Sequence, residues 1–233
     1  MTITVIIPTL NEASTIAQTL QHTAELGFDR INVVDGGSTD GTTEIVRTLG
    51  AQGSTLNRIR LLTSPPGRAK QLNTGARASD RDILLFLHAD TRLPDHAKQL
   101  IESALADPHI VGGRFDVRFD NTSPWSRIIA AFMNARSRFT RISTGDQAMF
   151  VRRNIFERLG GFSDIPLMED IEFSSRLKPI GPIAPLRETV TTSFRRWEQQ
   201  GPLRTILLMW TLRFLYWLGV SPERLSKFYA AIR

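Results

Sequence analysis

Short apolar runs alternate with segments of helical periodicity through the first half of the chain. Thr4 to Pro8 reads as a buried strand and about Glu12 to Leu26 as an amphipathic helix. Ile31 to Asp35 is a second strand, followed by a short helix over about Thr42 to Leu49. Ile59 to Thr63 is a third, closed by the turn Ser64-Pro65-Pro66-Gly67. Arg68 to Arg77 is predicted helical and Asp82 to Leu87 a fourth strand. Pro94 suits the first turn of a helix that runs to about Leu105. Strands alternating with helices imply βαβ units and a mostly parallel sheet.

After about residue 110 the rhythm changes. Phe115, Val117 and Phe119 alternate with polar residues, as in a strand with one wet face. Pro124 to Phe139 is a basic amphipathic helix, Gln147 to Arg152 a strand, and Arg153 to Leu159 a helix. The proline-rich stretch from Lys178 to Pro185 reads as an extended connection. Leu203 to Leu218 is a strongly apolar helix and Pro222 to Ile232 a final one. The expected division is residues 1–192 as one domain in two halves (1–110 and 111–192) and 193–233 as a helical extension.

At 233 residues the chain can bury a sizeable core. The absence of cysteine excludes disulfides, thiolate nucleophiles and Cys-based zinc sites. The net charge of +6 favours an anionic partner. No nucleic-acid-binding motif accompanies it, so none is expected. Met1 to Ile7 lacks a basic flank and is stopped by Pro8, so a cytoplasmic protein is expected. Arg213 interrupts the apolar helix from 203, which favours a helix lying on a membrane surface, or one packed in a core or dimer, over a spanning one.

Three acidic spots carry the candidate chemistry. Asp35 ends a strand and opens Gly36-Gly37-Ser38-Thr39-Asp40-Gly41, a glycine turn before a helix. Ligands of open α/β sheets bind beyond the carboxyl ends of the strands, so Asp35 is placed for a ligand, while Asp40 or Thr42 suits a helix cap. Asp90 closes the fourth strand, where a carboxylate can hold a divalent cation that bridges two phosphates. His88, two residues earlier, is compatible with Mn2+ better than Mg2+, and equally with a half-buried structural histidine. The doublet Glu169-Asp170 begins a helix; adjacent carboxylates repel, which raises one pKa and suits it to general-base work.

Val5-Ile6-Ile7-Pro8-Thr9-Leu10-Asn11-Glu12, the Asp35 turn, Gly67-Arg68-Ala69-Lys70-Gln71-Leu72-Asn73, and Gly160-Gly161-Phe162 followed by Glu169-Asp170 together resemble family 2 glycosyltransferases. The resemblance runs in consistent order over about residues 3–178. It implies an α/β GT-A fold, with the C-terminal helices as an extension. It implies that Pro8, Glu12 and Asp35 line a nucleotide pocket. Arg68, Lys70, Asn73, His88 and Ala89 belong to the donor side, and Asp90, at the last position of a DxD motif, holds the metal with His88. Asp170, beside Glu169, is implied as the base that deprotonates an acceptor hydroxyl. Phe194-Arg195-Arg196-Trp197 is similar to the end of a QxxRW motif with Ser193 in place of Gln, so Arg196 and Trp197, like Asp146, are expected to touch acceptor or phosphate. The implied partners are a nucleotide-sugar, a UDP-sugar first, and a divalent metal, Mn2+ ahead of Mg2+. A dimer and a contact with the inner membrane face are further expectations. His88 in place of the first Asp leaves a catalytically degenerate nucleotide-sugar-binding scaffold as the rival. A nucleotidyltransferase fits less well, because the loop after the first strand is acidic rather than basic.

Overall fold

A computed structural model describes residues 1–232, apart from the side chains at 54, 55, 196 and 230–232. The first half forms β1 (Ile3–Thr9), α1 (Ile16–Glu25), β2 (Arg30–Asp35), α2 (Thr42–Ala51), β3 (Ile59–Thr63), α3 (Arg68–Arg77) and β4 (Ile83–Phe86). The short β5 (Thr91–Arg92) and α4 (Ala97–Ala104) follow. The second half forms β6 (Gly112–Phe119), α5 (Pro124–Thr140), β7 (Phe150–Arg152), α6 (Arg153–Arg158), α7 (Glu169–Leu177), β8 (Ile183–Thr192), α8 (Arg195–Gln200), α9 (Pro202–Trp217) and α10 (Pro222–Ile232).

One sheet runs through both halves in the order β3-β2-β1-β4-β7-β6-β8-β5. β1, β2, β3 and β4 pair in parallel, as does β6 with β8; β7 is antiparallel to both its neighbours, and β5 to β8. β1, β2 and β4 are covered on both faces, which is why they read as continuous apolar runs. Ile3, Val5 and Ile7 of β1 join one hydrophobic cluster and Ile6 joins the other, each cluster lying on one face of the sheet.

Several expected elements move. The first helix starts at Ile16 rather than Glu12, because Asn11 turns the chain with a positive φ of 57°. The helix expected at Pro94 begins at Ala97, after a turn in which the Ala97 N–H donates to the Pro94 carbonyl. The strand expected from Gln147 is confined to Phe150–Arg152, and a 3-10 turn takes up Gly145–Gln147.

Two expectations are corrected in kind. β6 is wet only at Arg118: on the same face Arg114 and Asp116 are both buried, because they pair with each other and Asp116 also with Arg138 of α5. The proline-rich connection is a turn up to Pro182, and only Ile183–Pro185 are the start of β8, with Pro185 opposite Arg114 where the register shifts, a bulge that spares the missing N–H.

α5 is stapled to β6 by Asn134, which donates to the Val117 carbonyl and accepts from its N–H at 2.9 and 2.8 Å. The last helices pack on the start of α7. Met168 lies in the left-handed region (φ 72°), costly for a non-glycine residue. Its side chain is buried in a cluster with Leu208, Leu212 and Leu225, which holds α9 and α10 beside Glu169 and Asp170.

Candidate active site

The carboxyl ends of the parallel strands, the start of α7 and the faces of α5 and α9 enclose a cavity of about 730 Å3. Glu12, His88, Asp90, Asp146, Glu169 and Asp170 all line it, so the second and third acidic spots meet in one place.

Asp170 is fixed by backbone. Its Oδ2 accepts from the Gly145 N–H at 2.8 Å and its Oδ1 from the Ile171 N–H at 2.7 Å. A Cβ at Gly145 would meet the Arg68 guanidinium and His88 Nε2 and push those side chains aside. The imidazole is turned by Asp146, whose Oδ1 lies 3.2 Å from His88 Nδ1, while His88 Nε2 is buried without a hydrogen-bond partner. A second, small cavity of about 10 Å3, room for about one water, lies among Pro8, Arg68, His88, Gly145 and Asp170.

Glu169 is buried, and its Oε1 lies 3.1 Å from Arg68 Nε. Burial pushes its carboxyl above the usual range; Arg68 opposes the rise and the neighbouring Asp170 adds to it. Glu12 is raised by burial too, against a hydrogen bond from Thr15 Oγ1 at 3.1 Å, with Asp90 adding to the rise. Arg195 Nη2 lies 3.9 Å from Glu12.

Other expected site residues are placed differently. Asp35 is buried and lines neither cavity. Its Oδ2 accepts from the Gly37 and Ser38 N–H groups and its Oδ1 from Ser38 Oγ, so the carboxylate organises its own turn. Gly41 occupies the α2 cap position, and Asp40, one residue before it, accepts from the Thr42 and Ala13 N–H groups. Asn73 bonds both the carbonyl and the N–H of Phe162, at 2.7 and 2.9 Å, and holds that loop rather than facing the cavity. Lys70 reaches Asp164 at 3.8 Å. Ala89 is buried in the core. Trp197 stacks on Phe194 with ring centroids 6.2 Å apart and also lines the large cavity. The Arg196 side chain lies outside the described residues.

Arg136 of α5 and Arg213 of α9, neither among the expected site residues, also line the cavity. The sequence signal for Arg213 was a charge within the apolar α9, whose other arginine, Arg204, stands near its start. Gln71 was quoted only as part of a motif; its Nε2 donates to the Thr9 and Val34 carbonyls, both at 2.8 Å, and ties the ends of β1 and β2 below the site.

Among the described residues, no three His, Asp or Glu side chains converge to hold a metal on their own. The donor set nevertheless fits a cation completed from outside. Asp90 opens on the cavity, its Oδ1 contacted only at 3.5 Å by Thr91 Oγ1, and His88 keeps an unpartnered nitrogen nearby.

This architecture is shared by nucleotide-sugar transferases of the GT-A fold. A mannosyltransferase, PcManGT from Pyrobaculum calidifontis, solved with GDP-Man and Mn2+, superposes with a TM-score of 0.64 at 25% identity, covering 81% of this chain and 56% of that one. S. aureus TarS 1-349 in complex with UDP-GlcNAc gives 0.66 at 19% identity, over 83% and 58%. The family described as "Glycosyl transferase family 2" matches residues 4–160, and the chain belongs to it. A probable glycosyltransferase, YdaM of Bacillus subtilis (strain 168), is 28% identical over 203 residues, 77% of this chain and 47% of that protein. Glycosyltransferase AglE of Haloferax volcanii is 28% identical over 170 residues, 69% and 55%. The chain thus spans about half the length of the curated relatives it matches.

Proposed function

We propose that this chain is an inverting, metal-dependent glycosyltransferase that moves a sugar from a nucleotide-diphosphate donor to a hydroxyl on a small or lipid-linked acceptor. The observation that carries the reading is Asp170, oriented by two backbone N–H groups at the wall of a cavity that also holds Asp90 and His88. Asp170 takes the acceptor hydroxyl's proton. The acceptor oxygen bonds to the anomeric carbon as the bond from that carbon to the diphosphate oxygen breaks on the opposite face, which inverts the configuration. Arg68 offsets charge on the departing diphosphate, and Glu169 holds Arg68 in place. Asp90, with His88, would hold a divalent cation together with the donor's phosphates, and the bound cation would supply further charge stabilisation there.

Manganese is favoured by the imidazole, and the Pyrobaculum relative was solved with it. Residues 1–192 act as the catalytic domain and 193–233 as an extension that closes one wall of the cavity. A peripheral site at the inner membrane face is supported by α9. Leu203, Leu207, Trp210, Phe214 and Trp217 are exposed at alternating spacings of four and three, an apolar stripe along one face. Among the described residues, no helix is long and apolar enough to cross a membrane.

Titration of the purified chain with UDP, GDP, CDP and dTDP, each with and without Mn2+, tests the reading. Tight binding of one nucleotide that disappears when the metal is chelated is expected. Binding of none of the four would overturn it. Binding without donor hydrolysis or transfer would favour the degenerate scaffold, for which His88 in place of an Asp is the supporting observation.

A further inference from the structure

Arg136 and Arg213 come from helices far apart in sequence, yet both line the large cavity. Nε and Nη2 of Arg136 are buried with no hydrogen-bond partner. Unmatched buried donors are costly and call for a partner that completes them. The charges that act on Arg136 are Arg213, Asp170, Arg114 and Asp146; those on Arg213 are Asp170 and Asp146. Both guanidiniums therefore lie close to Asp170 and Asp146, while the cations that act on Glu12 are Arg195 and His88. Burial and the neighbouring Arg213 push Arg136 down to about 10. Two like charges held near each other in a partly desolvated wall are stabilised by an anion of matching charge, and a guanidinium fork matches phosphate oxygens in geometry. Two positive charges match a phosphate dianion better than a single carboxylate.

We infer that Arg136 and Arg213 form a binding site for a phosphate group on the acceptor, beside Asp170. The inference rests on the reading of this cavity as the transfer site and adds the chemical class of the acceptor to it. The acceptor is a phosphorylated molecule whose attacking hydroxyl lies within reach of Asp170 while its phosphate is held by the two arginines. A soluble sugar or polyol phosphate and a phosphate-bearing lipid present the same chemistry.

The test uses the full chain, loaded with the nucleotide diphosphate and cation that bind best, so that the donor side is filled. Inorganic phosphate is then titrated into wild type and into the Arg136→Gln/Arg213→Gln variant. Phosphate binding should weaken by about tenfold for each arginine removed, while nucleotide affinity stays within about twofold. Glycerol phosphate and a short-chain phosphatidic acid replace phosphate in two further arms, and the tighter of the two assigns a soluble or a lipid acceptor. A variant that instead loses nucleotide binding would move the arginines to the donor diphosphate and overturn the proposal. A measurement on wild type alone covers a variant that does not fold. Phenylglyoxal labelling mapped by mass spectrometry should show Arg136 and Arg213 protected by phosphate, with or without nucleotide. Equal labelling in its presence would overturn the site, whatever the nucleotide titration gives.

Discussion

On helix α5, Arg136 and Arg138 stand two positions apart and meet opposite fates. Arg138 reaches the sheet and pairs with Asp116, which also accepts from Arg114 Nη1 at 2.5 Å, so two guanidiniums share one buried carboxylate. Arg136 lines the cavity, and its Nε and Nη2 are buried without a hydrogen-bond partner. The sheet cluster keeps only one unmatched atom, Arg114 Nη2, and contributes to the fold by being nearly complete. The cavity cluster is incomplete in the folded chain, and that incompleteness marks it as a place for something else. Burial lowers the pKa of both Arg114 and Arg136, but Asp116 opposes the fall at Arg114, whereas Arg213 deepens it at Arg136.

The comparison is broken most strongly by removing the carboxylate each cluster faces. Asp170→Asn should slow sugar transfer by about 10^2- to 10^4-fold, the usual span for a general base, with nucleotide affinity kept; single-turnover assays with saturating donor would read it. Unchanged turnover would remove Asp170 as the base. Asp116→Asn should cost about 3–5 kcal/mol of stability in urea unfolding, because it strands two buried or half-buried cations. A loss below about 1 kcal/mol would mean the sheet cluster contributes no more than a surface pair.

The smaller effects sharpen the contrast. Arg136→Gln should raise the melting temperature by about 2–4 °C, the shift about 1 kcal/mol gives in a chain of this size. The sign follows from the direction of its pKa. A folded value of about 10, below the ordinary arginine value, means charged Arg136 destabilises the fold at every pH below about 10. The variant's advantage should therefore shrink as the pH rises above about 10, and thermal melts at pH 7 and 10.5 would show it. Glu169→Gln should change stability least. Its carboxyl is raised above 4.5 in the fold, so the folded state holds that proton more tightly. Wild type should lose ground to this variant as the pH climbs from about 4.5 towards 7. A melting-temperature difference that did not move with pH would assign the Arg68 contact, rather than desolvation, as the dominant influence on Glu169.

Much of the fold could be read in the chain because its first half obeys local rules. β1 through β4 and the helices between them announce themselves as apolar runs and periodic segments. The bounds of α3 and of β2's carboxyl end at Asp35 stand where the pattern puts them. β6 misled because polar residues were taken as solvated, whereas Arg114 and Asp116 neutralise each other inside. β8 was hidden by prolines that a bulge accommodates. The motifs brought Asp90, His88, Glu169 and Asp170 to one cavity, since each sits at a strand or helix end. Asp35 also sits at a strand end, but its oxygens are consumed by its own turn, which no spacing reveals. Arg136 and Arg213 meet only through tertiary packing, as Met168 anchors α9 beside α7.

The smallest strand has a consequence for how the molecule is made. β5 follows Asp90 directly and is held by β8 alone, with Thr91 Oγ1 donating to Thr192 Oγ1 at 2.9 Å across 101 residues of chain. The parallel strands can assemble as soon as β4 leaves the ribosome, but this clasp cannot close until β8 follows. At translation rates of about 5–20 residues per second, that delay is roughly 5–20 s. For that interval a nascent chain carries the parallel half of its sheet while the loop of Asp90 waits unfastened, so a pause in synthesis before residue 192 would hold back the Asp90 corner and leave the earlier strands intact.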